Sequence, residues 1–217
     1  MTTIQLDIVS DVVCPWCYIG KRRIEETMAL RPEITFNLTW RPYQLNPDMP
    51  MEGMNHKEYY ANKFGPDRVK GLVDNMTAAG KTVGLDFNFA AIEKSPNTLN
   101  AHRLLRWAIN SGNQHEVQES LFKAYFIEGK DVGDSEVLTA LAVDHGLDAK
   151  IIGDLLKSDR DVPQVKAEID LAREMGVSGV PCFIFDQKMA VSGAQEPAQM
   201  IQVIDRILEL RGEAQSG

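Results

Sequence analysis

"SDVVCPWCYIG", residues 10–20, sets Cys14 and Cys17 two residues apart, with Pro15 and Trp16 between them. Before it, Ile4, Leu6 and Ile8 alternate with Gln5 and Asp7, the period-2 signature of a strand. After it, Cys17, Gly20, Ile24 and Met28 share one face of a helix predicted over residues 14–30, which Pro32 ends. Pro15 suits the first turn of that helix, where its missing N–H costs nothing. The cysteine pair therefore sits where a strand passes through a short loop into a helix.

A metal clip, a structural bridge and an electron-exchanging pair compete for that spacing. A zinc site wants four ligands, and His56, His102, His115 and His145 have no spacing to supply the rest, so no metal is expected. The chain holds three cysteines, with Cys182 as the third, an odd count for a disulfide framework. The opening "MTTIQLDIVSD" has no basic n-region and no long apolar stretch, so it does not read as a signal peptide. No segment approaches the roughly 20 apolar residues of a membrane helix. A cytoplasmic setting is expected, and there a permanent structural disulfide is disfavoured. A net charge of -8 without a basic run argues against nucleic-acid binding. Two inert packing cysteines are the plain alternative. Against it stands the helix start, where orphan N–H groups and the positive end of the macrodipole favour a thiolate. The expected order is attack by or at Cys14, a mixed disulfide, then resolution by Cys17 one turn deeper.

The other signals build the frame. "ITFNLTWRPYQL", residues 34–45, reads as a second strand, followed by the turn-rich "NPDMPMEGMN". From His56 to about Met175 nearly everything reads as helix, with stripes such as Ala101, Leu104, Leu105 and Ala108. "VPCFIFD", residues 180–186, is a continuous apolar strand. Gln187 and Lys188 are read as a tight turn into "MAVSG", giving an antiparallel hairpin. Met200, Val203, Ile204, Ile207 and Leu208 mark a last helix, and "GEAQSG" at its end should fray. The fold class is α/β, ordered βαβ…ββα with a mixed sheet and a large all-helical insertion. Residues 1–50 and 176–217 form the discontinuous sheet domain and 51–175 the insertion. The first half should hold a right-handed parallel crossover. No Pro/Gly/Ser-rich linker bounds the insertion, so it should pack on the sheet.

"CPWC", "SPNTLNAHRLLRWA" at 95–108, "GVSGVPCFIFD" at 176–186 and "AVSGAQ" at 190–195 together resemble the DsbA-like thioredoxin-fold family. The chain looks most like its cytosolic FrnE-type branch, from Ile4 to about Leu210. The resemblance implies a thioredoxin fold and a thiol–disulfide oxidoreductase acting on disulfide or dithiol proteins and peptides. It implies Cys14, Cys17 and Pro181 as the redox-active centre, with a cis Val180–Pro181 bond lying against the CxxC. Pro15, Trp16 and Val180 would then meet substrate, the Val180 backbone by strand addition. Without the CxxC, Pro181 would read as a strand-entry proline.

The same scaffold hosts kappa-class glutathione transferases and 2-hydroxychromene-2-carboxylate isomerases, in which a lone serine or similar residue replaces the first cysteine. A glutathione-dependent transferase or isomerase is therefore the alternative, with glutathione as co-substrate and no bound cofactor. In it Asn97, His102 and Arg106 could line a pocket, and Arg103 or Arg106 could engage a carboxylate. Ser192 and Gln195 could hold a peptide or glutathione carboxylate, or only cap the final helix. Asn97 equally suits a helix N-cap, and His102 an ordinary helix histidine. Retention of both cysteines favours oxidoreduction. No stretch of sequence marks an interface, so the oligomeric state stays open.

Periplasmic DsbA carries a histidine between its cysteines, whereas this chain has Pro-Trp. Trp16 cannot add a positive charge beside the thiolate. The expected reduction potential lies between thioredoxin's about -270 mV and DsbA's about -120 mV. Equilibration against a glutathione buffer measures it, and a value outside that interval refutes the expectation. Strand alternation points Cys182 away from Pro181, as a small buried hydrophobe. Asp11, three residues before Cys14, reads as a turn residue or as a proton acceptor for Cys17, with Asp7 a second candidate if it points inward.

Overall fold

Strand β1 (Thr2–Ser10) is the spine of the sheet, and its alternation decides what lies on each face. The computed structural model describes residues 2–215. β1 pairs parallel with β2 (Ile34–Pro42), Ile8 opposite Trp40. On its other side it pairs antiparallel with β5 (Cys182–Phe185), Ile8 opposite Phe183. β5 pairs antiparallel with β6 (Met189–Ser192), so the order is β2-β1-β5-β6. Ile4, Leu6 and Ile8 are fully buried in the main core with Ile19 and Ile24 of helix α1 (Pro15–Ala29). Met200, Ile204 and Ile207 of the last helix join that core. Val9 points to the other face, where it packs with Tyr43, Ala172 and Cys182.

β2 ends at Pro42, three residues before the expected limit. Proline has no N–H for a further rung, and the Tyr43 N–H closes the ladder on the Ser10 carbonyl at 3.0 Å. Residues beyond it leave the sheet as a loop. Between 51 and 175 the chain is not all helix. A two-rung hairpin, β3 (Met54–Asn55) with β4 (Lys94–Ser95), ties the start of α2 (His56–Phe64) to the segment before α4 (Leu99–Ile109). A 3-10 turn covers Phe89–Ala91. α3 (Pro66–Lys81), α5 (Gln114–Phe126), α6 (Ser135–Asp144), α7 (Ala149–Leu156) and α8 (Val162–Glu174) complete the block.

The block and the sheet share one core. Leu104, Leu105, Leu121 and Phe122 belong to the same buried cluster as β1 and α1. The Tyr18 ring stacks on Phe122 at 4.9 Å between centroids. Lys21, buried one turn beyond Cys17, is held between the carboxylates of Glu25 and Glu119, which pins α1 to α5.

The turn joining β5 to β6 starts one residue earlier than expected. Asp186 and Gln187 carry φ of 51° and 56°, and the Lys188 N–H bonds the Phe185 carbonyl at 2.9 Å. Left-handed backbone suits aspartate, whose short polar chain tolerates it. The Asp186 carboxylate also accepts the Gln5 N–H at 3.1 Å and the Arg211 Nε at 2.9 Å. The last helix, α9 (Pro197–Gln215), continues through Gly212 into the stretch expected to fray. Residues 216–217, also included in that expectation, lie outside the described residues.

Gly20 is required by a close approach. A Cβ there would lie 2.9 Å from the Pro181 Cγ and 3.1 Å from the Phe183 Cζ. Gly71, exposed on α3, has nothing within 4 Å of the same position. Gly71→Ala should stabilise by about 0.5–1 kcal/mol through helix propensity. Gly20→Ala should destabilise by about 1–3 kcal/mol despite the same gain, because the overpacked helix must shift. Denaturant midpoints compare the two, and an equal shift would show that α1 slides freely on Pro181.

Candidate active site

Cys14 is the N-cap residue of α1, with extended backbone (φ -97°, ψ 111°), and Pro15 follows in the first turn. Its N–H bonds the Asp11 carbonyl at 3.0 Å, closing the loop from β1, and its carbonyl accepts the Cys17 N–H at 3.0 Å. The two cysteines sit 3.4 Å apart, both free. They are not equivalent. Cys14 lines an open cleft and keeps 4% of its surface exposed, whereas Cys17 keeps 0%. Burial, and then the neighbouring Cys14 sulfur, pushes the Cys17 thiol well up from its ordinary range.

The other wall comes from the entry to β5. The Val180–Pro181 peptide bond is cis. The Cys14 thiol donates to the Val180 carbonyl at 3.6 Å. Gly179 and Val180 line the cleft, together with Pro15 and Trp16. Pro181 packs against Gly20, on the α1 side of the sheet. Cys182 lies on the opposite face with Val9, Tyr43 and Ala172, and burial raises its thiol. It does not enter the cleft.

The cleft holds about 330 Å³, and most of its roof was not foreseen from the sequence. Leu45 and Asn46 come from the loop after β2. Tyr59, Tyr60, Lys63 and Phe64 come from α2, Leu72 and Met76 from α3, and Tyr125 from α5. The signal was the i, i+4 spacing of His56, Tyr60 and Phe64, whose rings meet in tilted and edge-on contacts along one side of α2. Burial, followed by the charge of Cys14, raises the Tyr60 phenol to about 12, so it stays protonated. Burial raises Tyr125 too, with the Ser95 side chain opposing the shift. His56 is lowered to about 4 by burial and shares a 2.9 Å bond with the Ser95 hydroxyl. At the mouth, Lys63 bonds the Tyr59 hydroxyl at 2.9 Å and the side-chain oxygen of Asn46, with no carboxylate partner among the described residues.

Asn97, His102 and Gln195 are not brought to this cleft. Asn97 accepts the Leu99 N–H at 2.9 Å and a Gln44 amide N–H at 3.2 Å, and donates to the Met49 carbonyl at 2.6 Å. It braces the loop that follows β2. His102 Nε2 lies 3.3 Å from Asp11 Oδ1, and Asp11 Oδ2 accepts the Leu45 N–H at 2.8 Å. The pair thus locks the loop before Cys14 to the loop carrying Leu45, and the Asp11 carboxylate is already engaged. Gln195 donates to the Ser192 carbonyl at 2.8 Å in the turn before α9. Arg103 spends its donors on three backbone carbonyls and the Asn100 side chain, and Arg106 pairs with Glu168 and Asp161. Neither arginine reaches the cleft. Asp7 faces away from α1 and pairs with Arg41 at 2.8 Å.

Among the described residues, no group of three or more His, Cys, Asp or Glu is placed to hold a metal ion, and no helix is long and apolar enough to cross a membrane. The arrangement offers one reachable thiol, one shielded thiol in contact with it, and an apolar cleft that presents phenols and a single cation.

Comparison with known proteins points the same way. A probable DsbA oxidoreductase from Streptomyces coelicolor, SCO1869, is 28% identical with a TM-score of 0.84, over 94% of this chain and 89% of that one. The uncharacterized protein YwbO of Bacillus subtilis (strain 168) is 26% identical over 186 residues, 84% of this chain and 86% of its own. The crystallised 2-hydroxychromene-2-carboxylate isomerase has a TM-score of 0.71 at 16% identity, covering 97% of this chain and 98% of that one, and shares the fold. The family model of the DSBA-like thioredoxin domain matches residues 5–205. With a four-stranded mixed sheet, the CPWC at a helix start and Val180–Pro181 facing it, the chain belongs to the DsbA-like thioredoxin-domain family.

Proposed function

We propose that the chain is a thiol–disulfide oxidoreductase of the cytoplasm, in which Cys14 exchanges with substrate and Cys17 resolves. The observation that carries this reading is the asymmetry of two free sulfurs 3.4 Å apart, one lining a cleft and one sealed beneath it. A substrate disulfide entering the cleft meets Cys14 first. Cys14 forms the mixed disulfide, and Cys17 is already within reach of its sulfur. Oxidation of the pair reduces the substrate by two electrons, and the reverse sequence oxidises a substrate dithiol. Val180, Pro181, Pro15 and Trp16 form the contact surface for disulfide or dithiol proteins and peptides. Catalysis of insulin reduction, or of the refolding of a scrambled disulfide protein, tests the reading. Neither activity in the wild type would refute it.

The glutathione-dependent reading draws on the roof. The cleft is lined by residues of α1, α2, α3 and α5 and is of small-molecule size. Lys63, whose partners there are neutral, suits a ligand carboxylate. Glutathione as co-substrate is compatible with both readings. Turnover of a glutathione conjugate that survives Cys17→Ser would favour transfer or isomerisation over disulfide exchange.

A further inference from the structure

Ser10 is the last residue of β1 and 1% exposed. Its hydroxyl is buried and makes no hydrogen bond. A buried hydroxyl without a partner costs folding free energy. What it faces accounts for it. Among the groups that act on the buried Cys17 thiol, the Ser10 side chain and the Asp11 backbone both favour its charged form against burial. We propose that Ser10 is a further catalytic residue of this site: its hydroxyl donates to the Cys17 sulfur whenever that sulfur is a thiolate, with the Asp11 N–H as the second donor.

The inference rests on the oxidoreductase reading. In resolution, the Cys17 thiolate attacks Cys14 of the mixed disulfide. The Cys14–Cys17 bond forms, the bond from Cys14 to the substrate sulfur breaks, and the electron pair leaves on the substrate. The departing thiolate takes up a proton, matching the one Cys17 gave up. In the reverse direction a substrate thiolate attacks Cys14, and Cys17 departs as the thiolate. Both directions place negative charge on a sulfur that is 0% exposed, where donors must come from the protein. The Asp11 carboxylate is committed to the Leu45 N–H and His102, whereas the Ser10 hydroxyl is an uncommitted side-chain donor. The hydroxyl thus waits for a partner that exists only during the reaction.

Stopped-flow mixing of the reduced protein, in a Cys182→Ala background, with the chromogenic disulfide dithiobis-nitrobenzoate separates the steps. Attack by Cys14 releases the first coloured thiolate, and resolution by Cys17 releases the second. Ser10→Ala should slow the second phase by about 10- to 100-fold, the size of one hydrogen bond to a charged group, and leave the first unchanged. The pH midpoint of the second phase should rise, and Ser10→Thr should restore it. Loss of an unpaired hydroxyl should leave the thermal midpoint equal or higher, so misfolding cannot supply the effect. A second phase identical to wild type at every pH, or equal slowing of both phases, overturns the role of Ser10. A wild type that releases one equivalent only overturns the oxidoreductase reading, and this inference with it.

Discussion

Cys14→Ser should abolish disulfide exchange, whereas Cys17→Ser should stall it at a mixed disulfide on Cys14. The difference follows from where the sulfurs sit. Cys14 is the N-cap of α1 and lines the cleft, so it is the sulfur a substrate reaches. A serine hydroxyl there stays protonated at neutral pH and cannot accept a disulfide's sulfur, so insulin reduction should fall by about 10³-fold or more. Cys17 is sealed, and burial together with the Cys14 sulfur keeps its thiol protonated at neutral pH. Its loss leaves the first attack intact and removes the group that releases the product. Mass spectrometry of Cys17→Ser after exposure to a peptide disulfide should find the peptide on Cys14. The peptide on Cys182 instead, or two variants with wild-type turnover, would end the oxidoreductase reading. The pH dependence has a fixed sign. The Cys17 thiol is raised, so resolution should quicken as pH rises toward its ionisation, and wild type should accumulate more mixed disulfide on the acid side.

Much of this frame was written locally in the chain. β1 announced itself because Ile4, Leu6 and Ile8 bury on one face while Asp7 and Val9 turn to the other. The CPWC was legible because Pro15 opens a helix and a thiol at a helix start has a reason to be there. Cys182 followed from the same alternation that faces Pro181 toward α1. The roof of the cleft was not legible. Tyr59, Tyr60, Lys63 and Phe64 are ordinary residues of an amphipathic helix, and only the packing of α2 and α3 over Cys14 gives them a site. Asn97 and His102 erred the other way. Polar side chains near a helix start can meet a ligand or the protein's own backbone, and here the loops after β1 and β2 took them. The β3–β4 hairpin has two rungs, too short for any period to show.

Arg103→Met should cost more stability than any other substitution of a charged residue in α4. The side chain is 1% exposed, and its guanidinium donates to the carbonyls of Leu155, Ser158 and Arg160 at 2.7, 2.7 and 2.8 Å. Those carbonyls lie in the last turn of α7 and the segment after it, where helix geometry leaves acceptors unpaired. A cation there also meets the negative end of the α7 dipole. The fourth bond goes to Asn100 Oδ1 at 2.8 Å, and the guanidinium lies 5.0 Å from the centre of the Trp107 ring. Methionine fills the volume but satisfies none of the acceptors. The Leu155 carbonyl keeps the Ser158 N–H and hydroxyl as donors, but those of Ser158 and Arg160 lose theirs, and the lost bonds to a charged donor put the cost at about 3 kcal/mol. For a chain of this size that lowers the melting temperature by about 6–12 °C. Arg106, one turn on, is the control. It is partly exposed and pairs with Glu168 and Asp161, so Arg106→Met should cost about 1 kcal/mol or less. Arg103→Lys should fall between them, because an ammonium cannot reproduce the planar fork. Equal losses for Arg103→Met and Arg106→Met would show that water replaces the guanidinium at the end of α7. The cleft shares no residue with this contact, so folded Arg103→Met should keep its Cys14 reactivity, tying the defect to stability alone.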